Sequence, residues 1–213
     1  AYFHNACDQI RGEACSLQFF SNGQYRNPMV MRVASLGYQR GFGGHFHNDN
    51  SITALRDIPG LLVGCPSRGD DAVTMLRAMM ALAKVDGRVC AYLEPIALYM
   101  TKDLYAPGDG LWQTAYPALS EAMEIGAERV YFPEHSDVVV FTFGNGVPMS
   151  LRAARQIEET LQWKTRVVDL RWLQPLNAEA IAKHAGDCKR IIVVDEGRRS
   201  AGVGEGIITA IVE

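Results

Sequence analysis

The sequence predicts an α/β chain of two consecutive units, each a parallel sheet with flanking helices. Three observations carry this. Apolar runs of strand length, such as Leu61 to Cys65 and Val138 to Phe143, recur without polar alternation, the pattern of strands covered on both faces. Between them lie stretches with apolar residues at steps of three and four, and strand, helix, strand at this spacing is the βαβ unit. A tract from about 96 to 136 breaks the rhythm with Pro107, Gly108, Gly110, Pro117 and Pro133, dividing the chain into 1–100, a connector at 101–136, and 137–213.

The elements follow in order. Ala6, Ile10, Ala14, Leu17 and Phe20 predict a buried helix that Ser21-Asn22-Gly23 ends. Pro28 precedes a strand at Met29 to Ala34, after which glycines and polar residues predict a long loop from Gly37 to Asn50. Ser51 to Asp57 is a short helix stopped by Pro59-Gly60, and Leu61 to Cys65 is a strand. Asp70 or Asp71 caps the next helix, whose Val73, Leu76, Met80 and Ala83 face one side and which ends near Gly87. Val89 to Leu93 is a further strand. Beyond the connector the alternation is cleaner: strands at Val138 to Phe143, Arg166 to Leu170 and Arg190 to Val194, and helices at Pro148 to Leu161, Ala178 to His184 and from Val203. Pro148 falls in a first helical turn, where its missing N–H is harmless.

Composition narrows the function. The chain has 213 residues, 48% of them apolar, enough to build a core in each unit. A net charge of -3, from 24 acidic and 21 basic residues, leaves no excess of cations for a nucleic acid backbone. No apolar run reaches the ~20 residues that cross a bilayer, so neither nucleic acid nor membrane is an expected partner. The five cysteines are odd in number and scattered, which fits free thiols in a reducing compartment; the expectation is the cytoplasm if the source is bacterial, with the mitochondrial matrix left open because the N-terminus is expected to be missing. Cys65, in an apolar strand, reads as an inert core thiol. Ala1 falls within a helical pattern, so further polypeptide is expected before it.

Two glycine motifs mislead. Gly202-Val203-Gly204-Glu205-Gly206 opens a helix after a strand, but the third glycine comes one residue early for a dinucleotide fingerprint and no acidic partner follows. Gly108-Asp109-Gly110 lies in the connector, with His135-Ser136 where a diphosphate signature needs asparagines. Both read as structural.

The chemistry concentrates in Gly41-Phe42-Gly43-Gly44-His45-Phe46-His47-Asn48-Asp49-Asn50, a glycine-rich loop after a strand, where parallel sheets present ligand sites. His-x-His supplies only two ligands, and no third is identified by spacing, so no metal is assigned to it. On the residues alone, two roles stay open: imidazoles that cap the next helix, or imidazoles that move protons.

Gly44 to Asn50, with Ile58-Pro59-Gly60-Leu61, Cys65-Pro66-Ser67, Asp71-Ala72 and Tyr92-Leu93-Glu94-Pro95, resembles the thiamine-diphosphate-dependent decarboxylating component of 2-oxo acid dehydrogenase complexes, in its beta subunit or beta-like half. Phe143-Gly144-Asn145-Gly146-Val147, Asp169 to Leu176 and Val194-Asp195-Glu196-Gly197 extend the resemblance in the same order over nearly the whole chain. It implies the C-terminal part of a transketolase-like pyrimidine-binding domain at 1–100 and a transketolase C-terminal-type domain at 137–213. It implies oxidative decarboxylation of pyruvate or a related 2-oxo acid, with acyl transfer to a lipoyl group. His47 aligns with the family's active-site histidine, and His45 stands beside it as a second candidate. Where the family has Ser-Gln after that histidine, this chain has Asn48-Asp49.

The implied cofactor is thiamine diphosphate with Mg²⁺, bound jointly with an alpha-like subunit or half that contributes the metal site. In the family, the glutamate that activates the pyrimidine precedes the region matched here; Glu13 and Glu94 read as structural. A monovalent cation at the carbonyls of Ala83 to Asp86, as in some relatives, is weighed against an ordinary helix end. The implied partners are the alpha-like polypeptide, a lipoyl-bearing transacylase core and further copies in an oligomer. Arg198-Arg199 reads as a surface turn or a docking point for that assembly. A catalytically silent assembly fragment, or another thiamine enzyme such as an acetoin dehydrogenase or a transketolase-like protein, are the alternatives.

Overall fold

A computed structural model describes every residue except Ala1, Arg40, Phe42 and Phe46. The strands are β1 (Met29–Ser35), β2 (Leu61–Gly64), β3 (Val89–Pro95), β4 (Arg129–Tyr131), β5 (Val138–Thr142), β6 (Thr165–Asp169), β7 (Trp172–Gln174) and β8 (Ile191–Val193). The α-helices are α1 (Leu17–Phe20), α2 (Ile52–Arg56), α3 (Gly69–Asp86), α4 (Gly146–Leu161), α5 (Ala178–Gly186) and α6 (Val203–Val212). The α/β architecture expected from the apolar runs is present. One sheet has the order β1-β3-β2-β7 and the other β4-β6-β5-β8. Pairing is parallel throughout except for the edge strands β7 and β4, which run antiparallel.

Those two strands were not expected. β4 lies within the tract read as a connector, and β7 follows a turn in which Arg171 takes a φ of +57°. After β6 the chain therefore leaves its own sheet and adds a strand to the first, with Cys65 N donating to Arg171 O at 2.7 Å. The two sheets also share a core in which Leu36, Cys65, Phe141, Phe143, Leu170 and Leu173 are buried together. Gly144 makes the contact close: its φ is +52°, and a Cβ there would come within 2.7 Å of Leu36 Cδ1.

The first helical stretch departs from the prediction. It runs Phe3–Ala6 as a 3-10 turn, Gln9–Ser16 as a π-helix and then α1. Ile10 and Ala14 pack into the core with residues of β2 and β3, while Phe20, expected on the same buried face, is 79% exposed. In α3 the buried face is Met75, Met79 and Ala83, and Met80 is exposed. The reason is Gly64 on β2, which leaves the hollow these two sulfurs fill; a Cβ there would meet Met75 Sδ at 2.5 Å and Met79 Cε at 2.6 Å.

Asp71 does not cap α3. It is buried, and its Oδ1 accepts from Arg129 Nη2 at 2.9 Å and Arg171 Nη1 at 2.8 Å. Two guanidinium groups outcompete backbone N–H groups for one carboxylate. The other end of α3 closes on Gly87, whose N–H donates to Ala83 O at 3.1 Å. No described helix is long and apolar enough to cross a membrane.

Candidate functional site at the carboxyl end of the first sheet

β1 ends at Ser35, and the loop from Gly37 to Asn50 leaves from its carboxyl edge. Its backbone turns at Gly44, whose carbonyl accepts from His47 N and Asn48 N, each at 3.1 Å. Asn48 then ties the loop: its Oδ1 accepts from Gly43 N at 2.8 Å, and its Nδ2 donates to Gly37 O at 3.0 Å. Gly37 N donates to Asn50 Oδ1 at 2.6 Å. The residues Asn48 and Asn50 thus supply bonds that an irregular backbone cannot make for itself.

His47 sits at the rim, half-buried and outside the apolar core, against the backbone of Gly43. Its Nε2 lies 3.2 Å from the Tyr2 hydroxyl, and the two rings meet edge to face with centroids 5.1 Å apart. His45 is exposed at the tip. Phe46, between them in the motif, lies outside the described residues, as does Phe42. The loop brings both histidines to the same edge of the sheet without joining them as a ligand pair. Among the described residues no group of three or more His, Cys, Asp or Glu side chains could hold a metal ion.

The second unit holds the other side of this loop. Asn50 Nδ2 donates to Glu196 O at 3.0 Å, and Arg198 donates to Asp49 Oδ1 at 3.0 Å and Asn50 O at 3.3 Å. Asn145, at the N-cap of α4, donates through Nδ2 to Tyr38 O at 3.1 Å and to the Glu196 carboxylate at 3.2 Å. A groove of about 480 Å³ lies between, lined by Tyr38, Asn48, Asp49, Asn50, Glu196 and Arg198 among others. Burial pushes the Glu196 carboxyl above its ordinary range, against the Asn145 bond. Asp49 is held below its range, first by the Ser51 hydroxyl and then by Arg198.

Sequence reasoning quoted Asn145 and Glu196 within longer motifs and gave them no role. The signal that could have singled them out is position: each is a polar residue just beyond the carboxyl end of a parallel strand. Arg198 is exposed, as expected of a surface turn, and also bonds the loop. Glu94 bonds side chains, Arg32 and the Tyr99 hydroxyl, the latter at 2.5 Å. The Glu13 carbonyl accepts from Asn27 Nδ2 at 2.6 Å, a backbone role. Cys65 is fully enclosed and its thiol is pushed well up by burial, as expected of an inert core cysteine. Gly204 N donates to Asp195 at 2.8 Å, so the start of α6 is already satisfied by this chain's own carboxylate. Asp109 accepts four backbone N–H groups at 2.7 to 3.0 Å and knits the connector.

A larger groove of about 850 Å³, lined by Cys15, Phe19, Phe20, Pro59, Gly60 and Arg88 among others, opens where β2 and β3 begin. It is at the wrong end of the strands for the chemistry of a parallel sheet.

Residues 128–213 match the model of the transketolase C-terminal domain. The chain is 30% identical over its whole length to the 3-methyl-2-oxobutanoate dehydrogenase subunit beta of Mycobacterium tuberculosis, covering 56% of that protein. It is 29% identical to the pyruvate dehydrogenase E1 component subunit beta of Staphylococcus aureus, over 97% of this chain and 58% of that protein. The chain thus spans little more than half the length of these relatives. Among solved structures, a split-gene transketolase described as an inactive beta4 tetramer superposes with a TM-score of 0.69 at 18% identity, over 98% of this chain and 58% of that one. A 2-oxoglutarate:ferredoxin oxidoreductase from Magnetococcus marinus gives 0.58 at 14% identity, over 86% of this chain and 44% of that one, a likeness of fold. Residues 128–213 are thus similar to transketolase C-terminal domains, and the chain as a whole is similar to beta subunits of 2-oxo acid dehydrogenases.

Proposed function

We propose that this chain is the beta-like portion of a thiamine-diphosphate-dependent 2-oxo acid dehydrogenase, contributing His47 to an active site that other polypeptide completes. The observation that supports it most is the imidazole of His47 at the carboxyl rim of β1, outside the core, on a chain collinear with beta subunits. We read residues 1–100 as the C-terminal part of a pyrimidine-binding domain, 101–136 as a connector and 137–213 as the second domain.

The described residues fit the rim of a thiamine site and not its seat. They offer no carboxylate cluster for Mg²⁺, so the diphosphate end belongs, on this reading, to an alpha-like subunit or half. When bound, the cofactor supplies the nucleophilic carbon that attacks the 2-oxo carbon. What this chain supplies is proton traffic at Nε2 of His47: an imidazolium can give a proton to the sulfur released when the dithiolane S–S bond opens during acyl transfer to a lipoyl group. The neighbouring Tyr2 hydroxyl shows that this atom accepts or donates a hydrogen bond of 3.2 Å where it stands. His45, exposed two residues away, orients the loop or assists. A monovalent cation at the end of α3 would share the Ala83 carbonyl with the Gly87 cap.

The test is CO2 release from pyruvate, branched-chain 2-oxo acids and 2-oxoglutarate, using full-length protein with thiamine diphosphate and Mg²⁺. Release from one class with dependence on the cofactor is expected. No release from any of them, with the partner polypeptide present, contradicts the proposal and favours an assembly role.

A further inference from the structure

We propose that Glu196 and Arg198 are positioning residues for His47, through which the second domain holds the histidine loop in place. The catalytic consequence rests on the function proposed above; the mechanical claim does not. Within itself the loop is tied by Asn48 and Asn50 near its ends, with no strand or helix among the described residues between Gly37 and Asn50. Such a segment has few bonds for the backbone freedom it gives up, and its geometry depends on what it is fastened to.

The fastening runs to the start of a helix. Asn145 is buried at the N-cap of α4, one residue after the close approach of Gly144 to Leu36. Its Nδ2 bridges Tyr38 O, at 3.1 Å, and the Glu196 carboxylate, at 3.2 and 3.3 Å. The Glu196 carbonyl takes the Asn50 side chain at 3.0 Å, so this one residue reaches the loop near its entry through Asn145 and at its exit through its own backbone. Arg198 adds a second hold on the exit, through Asp49 Oδ1 at 3.0 Å and Asn50 O at 3.3 Å. Beyond the loop, Thr53 donates to Ala201 O and Arg56 to Gly202 O, each at 2.7 Å, continuing the seam along α2. His47 is one residue from Asn48 and three from Asn50, so loosening either end moves the imidazole.

Hydrogen exchange by mass spectrometry on the full-length protein tests this. Glu196→Ala should raise exchange in the peptide spanning 37–50 by about 10-fold while residues 138–142 keep their protection, and Glu196→Gln, whose amide oxygen still accepts from Asn145, should stay within about 2-fold of the parent. In the assembled enzyme kcat for acyl transfer should fall with Glu196→Ala while KM for the 2-oxo acid holds. Arg198→Ala, at an exposed side chain, carries the test if Glu196→Ala unfolds. Unchanged loop exchange in both alanine variants overturns the proposal. A loosened loop with undiminished acyl transfer leaves the clamp standing and overturns its catalytic consequence.

Discussion

Asp71 and Asp169 are buried carboxylates at the seam between the two sheets, and they meet opposite electrostatic conditions. Asp71 faces Arg129 and Arg171, so removing it takes a buried carboxylate from both and leaves Arg129 to Asp70; Asp71→Ala should destabilise the fold by about 3 kcal/mol in urea unfolding, and Asp71→Asn by less. Asp169 is fully enclosed, with the Ser67 hydroxyl on one oxygen and Arg171 N at 3.1 Å on the other. Burial raises it to about 7. The folded state therefore binds its proton more tightly than the unfolded chain, whose carboxyl titrates near 3.9. Stability from this residue is complete below about pH 4 and is lost as the pH rises toward 7, by up to about 4 kcal/mol. Replacing Asp169 by Asn should flatten that slope in unfolding titrations from pH 4 to 8; an unchanged slope contradicts the assignment.

At the scale of elements, the strands were legible because their apolar runs leave little choice: β2, β3, β5 and β6 are buried along their whole length. β4 and β7 were not, because each is three residues long and joins a sheet only through residues distant in the chain. The face of α3 was misjudged by less than half a turn, since Val73, Leu76 and Met80 share the same spacing as Met75 and Met79, and only the hollow at Gly64 decides between them. Met79→Ala should therefore cost about 2–5 kcal/mol and Met80→Ala almost nothing. Gly144→Ala, strained in φ and driven into Leu36, should cost more than a surface glycine such as Gly23, whose Cβ would meet nothing. Chemical denaturation of the four variants orders these effects. The histidine motif itself was readable, as glycines around two imidazoles after a strand. Its fastening was not: Asn145 and Glu196 stand about 100 and 150 residues from the loop, and no local pattern announces a bond across that distance.

Across the whole molecule, the two sheets behave as interlocked parts. β7 lends a strand from the second half to the first, a common core runs beneath both, and the histidine loop is gripped by residues of the second domain. Separate sheets with separate cores would melt separately; these should unfold in one cooperative calorimetric transition. The same interlocking lets residues of the second half hold the loop that carries His47.

The most direct test of that site is acylation of a lipoyl acceptor by the full-length assembly carrying His47→Ala. A fall of about 100-fold or more in acyl transfer, with folding and assembly intact, is expected for a lost proton carrier. Transfer at the parent rate would mean that the imidazole at the rim of β1 takes no part in the chemistry.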